Sequence, residues 1–155
     1  MKPLRVVVDA NTLVSSLLFR REQWSWLREA WKTATIVPVL CPATTLELVR
    51  VLSYPKFQLS AQEQKAMLAE ILPFCETAGN PSPDPDLPPC RDRDDQVFIE
   101  LTLATRADYL ASGDGDLQEY PCWPGLSVIT PSALRELVHS FSPDSGEAKA
   151  SVDGR

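Results

Sequence analysis

Short, nearly continuous apolar runs alternate with helix-like segments along this chain, and that alternation restricts the fold more than any other feature. The first run, Leu4–Val8, is rich in β-branched residues, as in a strand that is covered on both faces. Further strands are predicted at Ile36–Leu40, 108–112 and 126–129. Strands that are separated by helices pair in parallel, because each crossover returns the chain to the same end of the sheet. The pattern therefore predicts an α/β fold with a parallel sheet and helices on both faces.

Apolar residues at helical spacing predict six helices between and after these strands. They cover 12–19, Glu22–Lys32, Pro42–Leu52, a segment from the cap Ser60 to Leu72, a segment through 104 capped by Asp92 or Asp94, and 131–139. Residues 80–89 contain prolines at 81, 83, 85, 88 and 89, which indicates a stiff loop. We expect residues 1–141 to form one domain, and the polar, non-periodic residues 142–155 to be a disordered tail.

The composition fits one globular domain and excludes several classes of protein. A chain of 155 residues with 44% hydrophobic content can bury a sizeable core. One histidine and four widely spaced cysteines, with no Cys-x-x-Cys pair, argue against a structural zinc site and against a secreted disulfide scaffold. The start shows no signal-peptide pattern, and no apolar run approaches the ~20 residues of a membrane helix. We therefore expect a soluble, cytoplasmic protein with reduced thiols and no membrane association.

Acidic residues occupy the positions where predicted strands end. Asp9 directly follows the first strand, and Asp114 and Asp116 follow a later one. Binding sites in parallel α/β sheets gather outside the carboxyl ends of the strands. Carboxylates from distant parts of a chain repel one another, so a fold tolerates such a cluster mainly when a cation lies among them. Because Mg²⁺ prefers oxygen ligands and most often acts on phosphates, these acids predict a metal-dependent phosphodiesterase.

Two other acidic positions are candidates for the same site. Glu47 lies in the predicted helix Pro42–Leu52, where a solvated role is the common alternative. Asp94 and Asp95 open a later helix, and acids in a first turn also favour the helix dipole. Asp95 precedes Ile99 by four residues and so shares its face, which favours Asp95 for the metal and Asp94 for the cap.

The acid after the first strand has a structural alternative as well. An isolated Asp9 could simply begin a turn or cap the next helix. Asn11 and Thr12 follow it, and either could serve as that cap instead. We therefore expect the Asp9 carboxylate to be free to point into a cleft.

The net charge of −6 argues against a protein that holds nucleic acid by bulk positive charge, although the candidate acids account for most of that excess. Four basic residues near the second predicted helix could meet phosphates, although a solvated helix face is the commoner role. They are Arg20, Arg21, Arg28 and Lys32. Three tryptophans could stack on bases, although their spacing is more typical of a core or a protein interface. They are Trp24, Trp26 and Trp31.

Taken together, these motifs resemble those of PIN-domain nucleases, a family that includes many bacterial and archaeal toxins of type II toxin–antitoxin systems. The strongest are Val-Val-Asp-Ala-Asn-Thr at 7–12, Asp-Asp-Gln-Val-Phe-Ile-Glu-Leu at 94–101 and Ser-Gly-Asp-Gly-Asp-Leu at 112–117, with a weaker Thr-Pro at 130–131. The resemblance spans residues 4–138. It implies a three-layer α/β/α fold around a parallel sheet of four to five strands.

The resemblance also implies an activity and a set of site residues. The activity is Mg²⁺- or Mn²⁺-dependent endoribonuclease cleavage by a homodimer that a cognate antitoxin protein holds silent. The catalytic, metal-binding acids would be Asp9, Glu47, Asp95 and Asp114, with Asp116 as an accessory ligand. The polar neighbours that orient carboxylates or water would be Asn11, Thr12 and Ser112.

Two rival functions remain open at the level of sequence. Residues 9–12 approach the Asp-x-Asp-x-Thr loop of haloacid-dehalogenase-like phosphatases, but Asn11 stands where that class needs its acid. The fold could also serve as a non-catalytic RNA-binding or interaction module whose carboxylates hold a structural ion. Divalent-dependent RNA cleavage separates these functions, because a phosphatase releases phosphate from small esters and a binding module does neither.

Overall fold

The computed structural model describes residues 2–19 and 22–141, which form a three-layer α/β/α domain around a five-stranded sheet. The strands are β1 (Leu4–Val8), β2 (Ile36–Leu40), β3 (Glu76–Thr77), β4 (Tyr109–Ala111) and β5 (Val128–Ile129). All neighbouring strands pair in parallel, in the order β3-β2-β1-β4-β5. The predicted fold class and parallel sheet are confirmed.

Seven α-helices accompany the sheet within the described part of the chain. They are α1 (Ala10–Leu18), α2 (Glu22–Lys32), α3 (Pro42–Leu52), α4 (Ala61–Ile71), α5 (Gln96–Thr105), α6 (Gly115–Gln118) and α7 (Pro131–Phe141). Short 3-10 helices cover Pro55–Phe57, Leu72–Phe74 and Arg93–Asp95. The sequence does not predict β3 or α6, since a strand of two residues and a helix of four are too short to show a period.

The order of the strands determines where a site can form. The chain passes from β1 outwards to β2 and β3, and then returns across β1 to β4 and β5. The direction of winding therefore reverses between β1 and β4, whose carboxyl ends are aligned by the pairing of Val8 with Ala111. Ligands of parallel α/β proteins bind at this kind of switch point.

Several residues with a proposed surface role are in fact structural. Trp26 and Trp31 are buried in the core, which is the role that their spacing favours, so neither is available to stack on a base. Arg28 is buried as well, and its Nη1 donates hydrogen bonds to the carbonyl oxygens of Ser16 (2.6 Å) and Phe19 (2.9 Å) near the end of α1. An arginine engaged in this way is not available to a phosphate.

Some predictions fall on parts of the chain that the structure does not describe, and others concern the whole chain. Arg20, Arg21 and the predicted tail, residues 142–155, lie outside the described residues. All four cysteines are free thiols. Across residues 2–19 and 22–141, none of the helices combines the length and apolarity that a membrane crossing needs.

Candidate metal centre

Asp9 lies directly after β1 at the switch point and is buried, with 5% of its surface exposed. Its Oδ1 accepts a hydrogen bond from the backbone N–H of Thr12 (3.1 Å), so Asp9 itself caps α1. The expectation that Asn11 or Thr12 would be the cap is therefore wrong. A carboxylate has two oxygens, however, and Oδ2 is directed instead to Ser112, whose hydroxyl donates to it at 2.7 Å.

Ser112 joins the acids that follow the two central strands. It is buried just after β4, and the same hydroxyl oxygen that binds Asp9 accepts the backbone N–H of Asp114 at 2.9 Å. The backbone carbonyl of Ser112 is in turn held by the side-chain amide of Gln118 (2.8 Å). Asp114 then caps α6 through the backbone N–H of Asp116 (2.9 Å). This chain of hydrogen bonds fixes Asp9 and Asp114 relative to each other.

Asp95 brings a third carboxyl group to the same corner from the 3-10 helix Arg93–Asp95. Its Oδ2 is buried and has no hydrogen-bond partner. Burial raises the pKa of Asp95 to about 7, with further contributions from the negative charges of Asp114, Asp92 and Asp9. Burial also raises the pKa of Asp9, against the hydrogen bonds it receives. The three acids are thus close enough to disfavour one another's charge.

Glu47 and the acids beside Asp95 have partners of their own. Asp92, and not Asp94, caps the 3-10 helix by accepting the backbone N–H of Asp94 at 3.0 Å. Within α3, Arg50 binds both carboxylate oxygens of Glu47, with Nε 3.1 Å from Oε2. The same guanidinium lies 3.8 Å from Asp94. Glu47 therefore faces the segment that carries Asp95, but its charge is balanced by Arg50.

Asp116 is likewise paired with a cation. Its Oδ1 lies 3.2 Å from Nη1 of Arg91, whose side chain is largely exposed. The two glycine-flanked acids after β4 therefore have different partners, because the Asp114 carboxylate accepts the backbone N–H of Asp116 and the Asp116 carboxylate pairs with Arg91.

A cleft of about 560 Å³ opens at the carboxyl end of β1 and β4. Its walls come from the loop after β4 and from the starts of α1, α2 and α7. The lining residues are Asp9, Asn11, Thr12, Ser15, Gln23, Trp24, Gly113, Asp114, Pro131 and Ser132. Of the predicted site residues, Asp9, Asn11, Thr12 and Asp114 line the cleft.

Several lining residues are absent from the sequence-based prediction. Ser15, Gln23 and Ser132 lie on three different helices and carry no motif, so only tertiary packing brings them together. Trp24 is the exception, because aromatic residues near the second helix were a visible signal, although the sequence did not distinguish it from Trp26 and Trp31.

The acids fit a hard divalent cation by their chemistry. Carboxylate oxygens are the preferred ligands of such ions, and the buried Asp95 oxygen without a partner is a free ligand position. Within the part of the chain that the structure describes, no three His, Cys, Asp or Glu side chains form a closed metal-binding group. The donor atoms and their mutual repulsion suit Mg²⁺ or Mn²⁺ by their chemistry.

The fold and the cleft define a parallel α/β protein with an acidic site at its switch point. The family model of the PIN domain matches residues 5–116, well over half of the chain, and the chain therefore belongs to the PIN-domain family, whose fold is that of a nuclease. A comparison with curated proteins finds no match.

Proposed function

We propose that this protein is a metal-dependent endoribonuclease that hydrolyses RNA phosphodiester bonds in the cleft beside Asp9 and Asp114. The observation that carries the proposal is geometric: Ser112 joins Asp9 to Asp114 by hydrogen bonds at the switch point of a PIN fold, and the half-buried Asp95 has a buried Oδ2 without a hydrogen-bond partner. Carboxyl groups gathered in this way are unfavourable unless a cation offsets their charge. Among the described residues that line the cleft, none is a lysine or an arginine. A bound metal ion is the cation that the site needs.

The proposed roles follow from the contacts of each residue. Asp9, Asp95 and Asp114 would hold Mg²⁺ or Mn²⁺, and the bound ion would polarise a phosphate and lower the pKa of water. Thr12 and Ser112 hold Asp9 in position through the hydrogen bonds that they donate to its two oxygens.

Removal of a proton from the attacking water is assigned to a carboxylate of the site, Asp114 or Asp95. Asn11 is exposed at the cleft, where its amide can donate to a phosphate oxygen.

Glu47 is proposed as the fourth metal ligand and Asp116 as an accessory ligand. In this structure each carboxylate is paired with an arginine. Glu47 reaches a metal only when Arg50 releases it, and Asp116 only when Arg91 does. Both arginines are substantially exposed, so release costs little.

The biological setting is part of the same proposal. The motifs at 7–12, 94–101 and 112–117 resemble those of toxin nucleases, which supports a toxin that acts in the cytoplasm as a homodimer and is silenced by a cognate antitoxin protein. Purification of the chain together with the product of a neighbouring small gene, with loss of RNA cleavage in the complex, is the expected result.

The nuclease activity is tested by cleavage of a panel of single-stranded RNAs with Mg²⁺, with Mn²⁺ and with a chelator. We expect cleavage by the wild type that requires metal and is lost in Asp9→Asn. Cleavage that persists in the variant, or wild-type protein that cuts none of the RNAs with either metal, contradicts the proposal.

A further inference from the structure

We propose that Trp24, with Ser15, Phe19 and Gln23, forms a subsite that stacks an unpaired nucleobase of the RNA substrate. The inference rests on the proposed nuclease function and names the residues of this chain that hold a base beside the scissile phosphate.

Two connected cavities carry this inference. The acidic cleft extends from Asp9 and Asp114 to Gln23 and Trp24 at the start of α2. A second cavity, of about 210 Å³, lies against the same wall and is lined by Ser15, Phe19, Gln23 and Trp24. Ser15, Gln23 and Trp24 border both cavities, so an RNA strand can place a phosphate at the acids and a neighbouring base at Trp24.

Trp24 differs from the other tryptophans of its helix. Trp26 and Trp31 are buried in the core, whereas Trp24 is half-buried and contributes to both cavities. Phe19 beside it is 45% exposed. Aromatic side chains open to a cavity offer a face to any base, while the amide of Gln23 and the hydroxyl of Ser15 can bind its polar edge.

The charge of the cleft points to stacking as a main source of affinity. Among the described residues, the lining of both cavities includes two aspartates and no lysine or arginine. Contacts between cations and phosphates, which weaken steeply with salt, therefore gain nothing from the described parts of these walls. Stacking depends little on salt, and it requires a base that is not paired in a duplex.

The test compares variants in an Asp9→Asn background, so that RNA is bound and not cut. The dissociation constant of a labelled single-stranded RNA is measured by fluorescence anisotropy with Mg²⁺, at low and at physiological salt. Adding Trp24→Ala or Trp24→Leu is expected to weaken binding roughly 5–150-fold, the range for loss of one stacked base. Trp24→Phe keeps an aromatic ring and is expected to retain most of the affinity.

Trp123→Ala is the matched control, since Trp123 is also a half-buried tryptophan packed on the core and lines neither cavity. We expect it to bind RNA like its parent. The increase in the dissociation constant caused by Trp24→Leu should be the same at both salt concentrations. With duplex RNA, the substitution should leave the dissociation constant unchanged.

Unchanged binding by Trp24→Leu, or an equal loss of single-stranded and duplex RNA, overturns the stacking subsite while leaving wild-type cleavage in place. Failure of the nuclease function shows up differently, as a wild type that binds RNA through Trp24 but never cuts it.

Discussion

The two ends of the same sheet hold their acidic residues in opposite ways. At the amino end, Arg5 donates two hydrogen bonds to Glu76, Nε to Oε1 at 2.8 Å and Nη2 to Oε2 at 2.6 Å. The backbone N–H of Arg5 donates to Asp108 at 2.8 Å. At the carboxyl end, Asp9 is buried near the charge of Asp114, and the half-buried Asp95 lies near the charges of Asp114, Asp92 and Asp9.

The two ends of the sheet also differ in the pKa values of their carboxyl groups. The hydrogen bond from Arg5 lowers the pKa of Glu76, whereas burial raises the pKa of Asp95 to about 7. Arg5 therefore favours the charged form of Glu76, whereas burial disfavours the charged form of Asp95. A strongly perturbed acid in a cleft is typical of a functional site, and a paired acid at the opposite edge is typical of a structural contact.

The sharpest test of this contrast replaces one aspartate on either side of β4. Asp108 precedes the strand and Asp114 follows it. Asp114→Asn is expected to lower RNA cleavage by about 10²–10³-fold, the usual cost of removing one group that stabilises the transition state. Asp108→Asn should keep the rate within about threefold of the wild type, because it is far from the cleft. Equal losses in the two variants would show that the acids act through stability alone.

Metal binding is the next largest effect. A ligand that binds only the folded state adds about 2.7 kcal/mol at a concentration of 100 Kd. Saturating Mg²⁺ or Mn²⁺ should therefore raise the Tm of the wild type, by roughly 2–4 °C per kcal/mol for a domain of this size. Asp9→Asn should show little of this rise, and a chelator should reverse it. A rise of the same size in Asp9→Asn would locate the ion elsewhere.

Regular elements and strand ends are the features that the sequence reveals best. The run Leu4–Val8 predicts a buried strand because its apolar residues cover both faces, and Asp9 at its end then predicts the edge where a site lies. The site depends on contacts that no period encodes. A pattern cannot say that Asp9 would use one oxygen as a cap and the other for Ser112.

The pairing of Glu47 with Arg50 could have been found in the sequence. The two residues are three apart in a predicted helix, a spacing at which opposite charges meet on one face. The position of Trp24 and Gln23 at the acidic cleft could not have been found in the sequence, because it depends on how α2 packs beside the switch point. Helix spacing and strand ends in the sequence therefore identify the candidate acids. Tertiary packing determines which of these acids have no basic residue paired with them.

The raised pKa of Asp95 predicts how stability changes with pH in metal-free protein. The folded state holds a proton with a pKa of about 7, whereas an ordinary aspartate has a value near 3.8. The folded state therefore binds the proton more tightly, and the free energy of unfolding falls as the pH rises from about 4 to 7. Asp95→Asn should remove this fall and stabilise the protein at pH 7.5 by about 1 kcal/mol, a value reduced for partial solvent exposure.

Asp94→Asn is the control for that experiment, since the Asp94 side chain is 70% exposed and lies near Arg50. Chemical denaturation at several pH values should show little change in this variant. The same stabilisation from Asp94→Asn would mean that general charge, and not the buried carboxyl of Asp95, controls the pH dependence.

The smallest effect is expected at the amino end of the sheet. The side chains of Arg5 and Glu76 are 31% and 38% exposed, so solvent screens their attraction despite the two hydrogen bonds. A double-mutant cycle of Arg5→Met and Glu76→Gln, measured by chemical denaturation, should give a coupling energy of about 0.5–1 kcal/mol that decreases with salt. All three variants should cleave RNA at nearly the wild-type rate. A large loss of cleavage here would break the contrast, because it would show that charges at one end of the sheet control chemistry at the other.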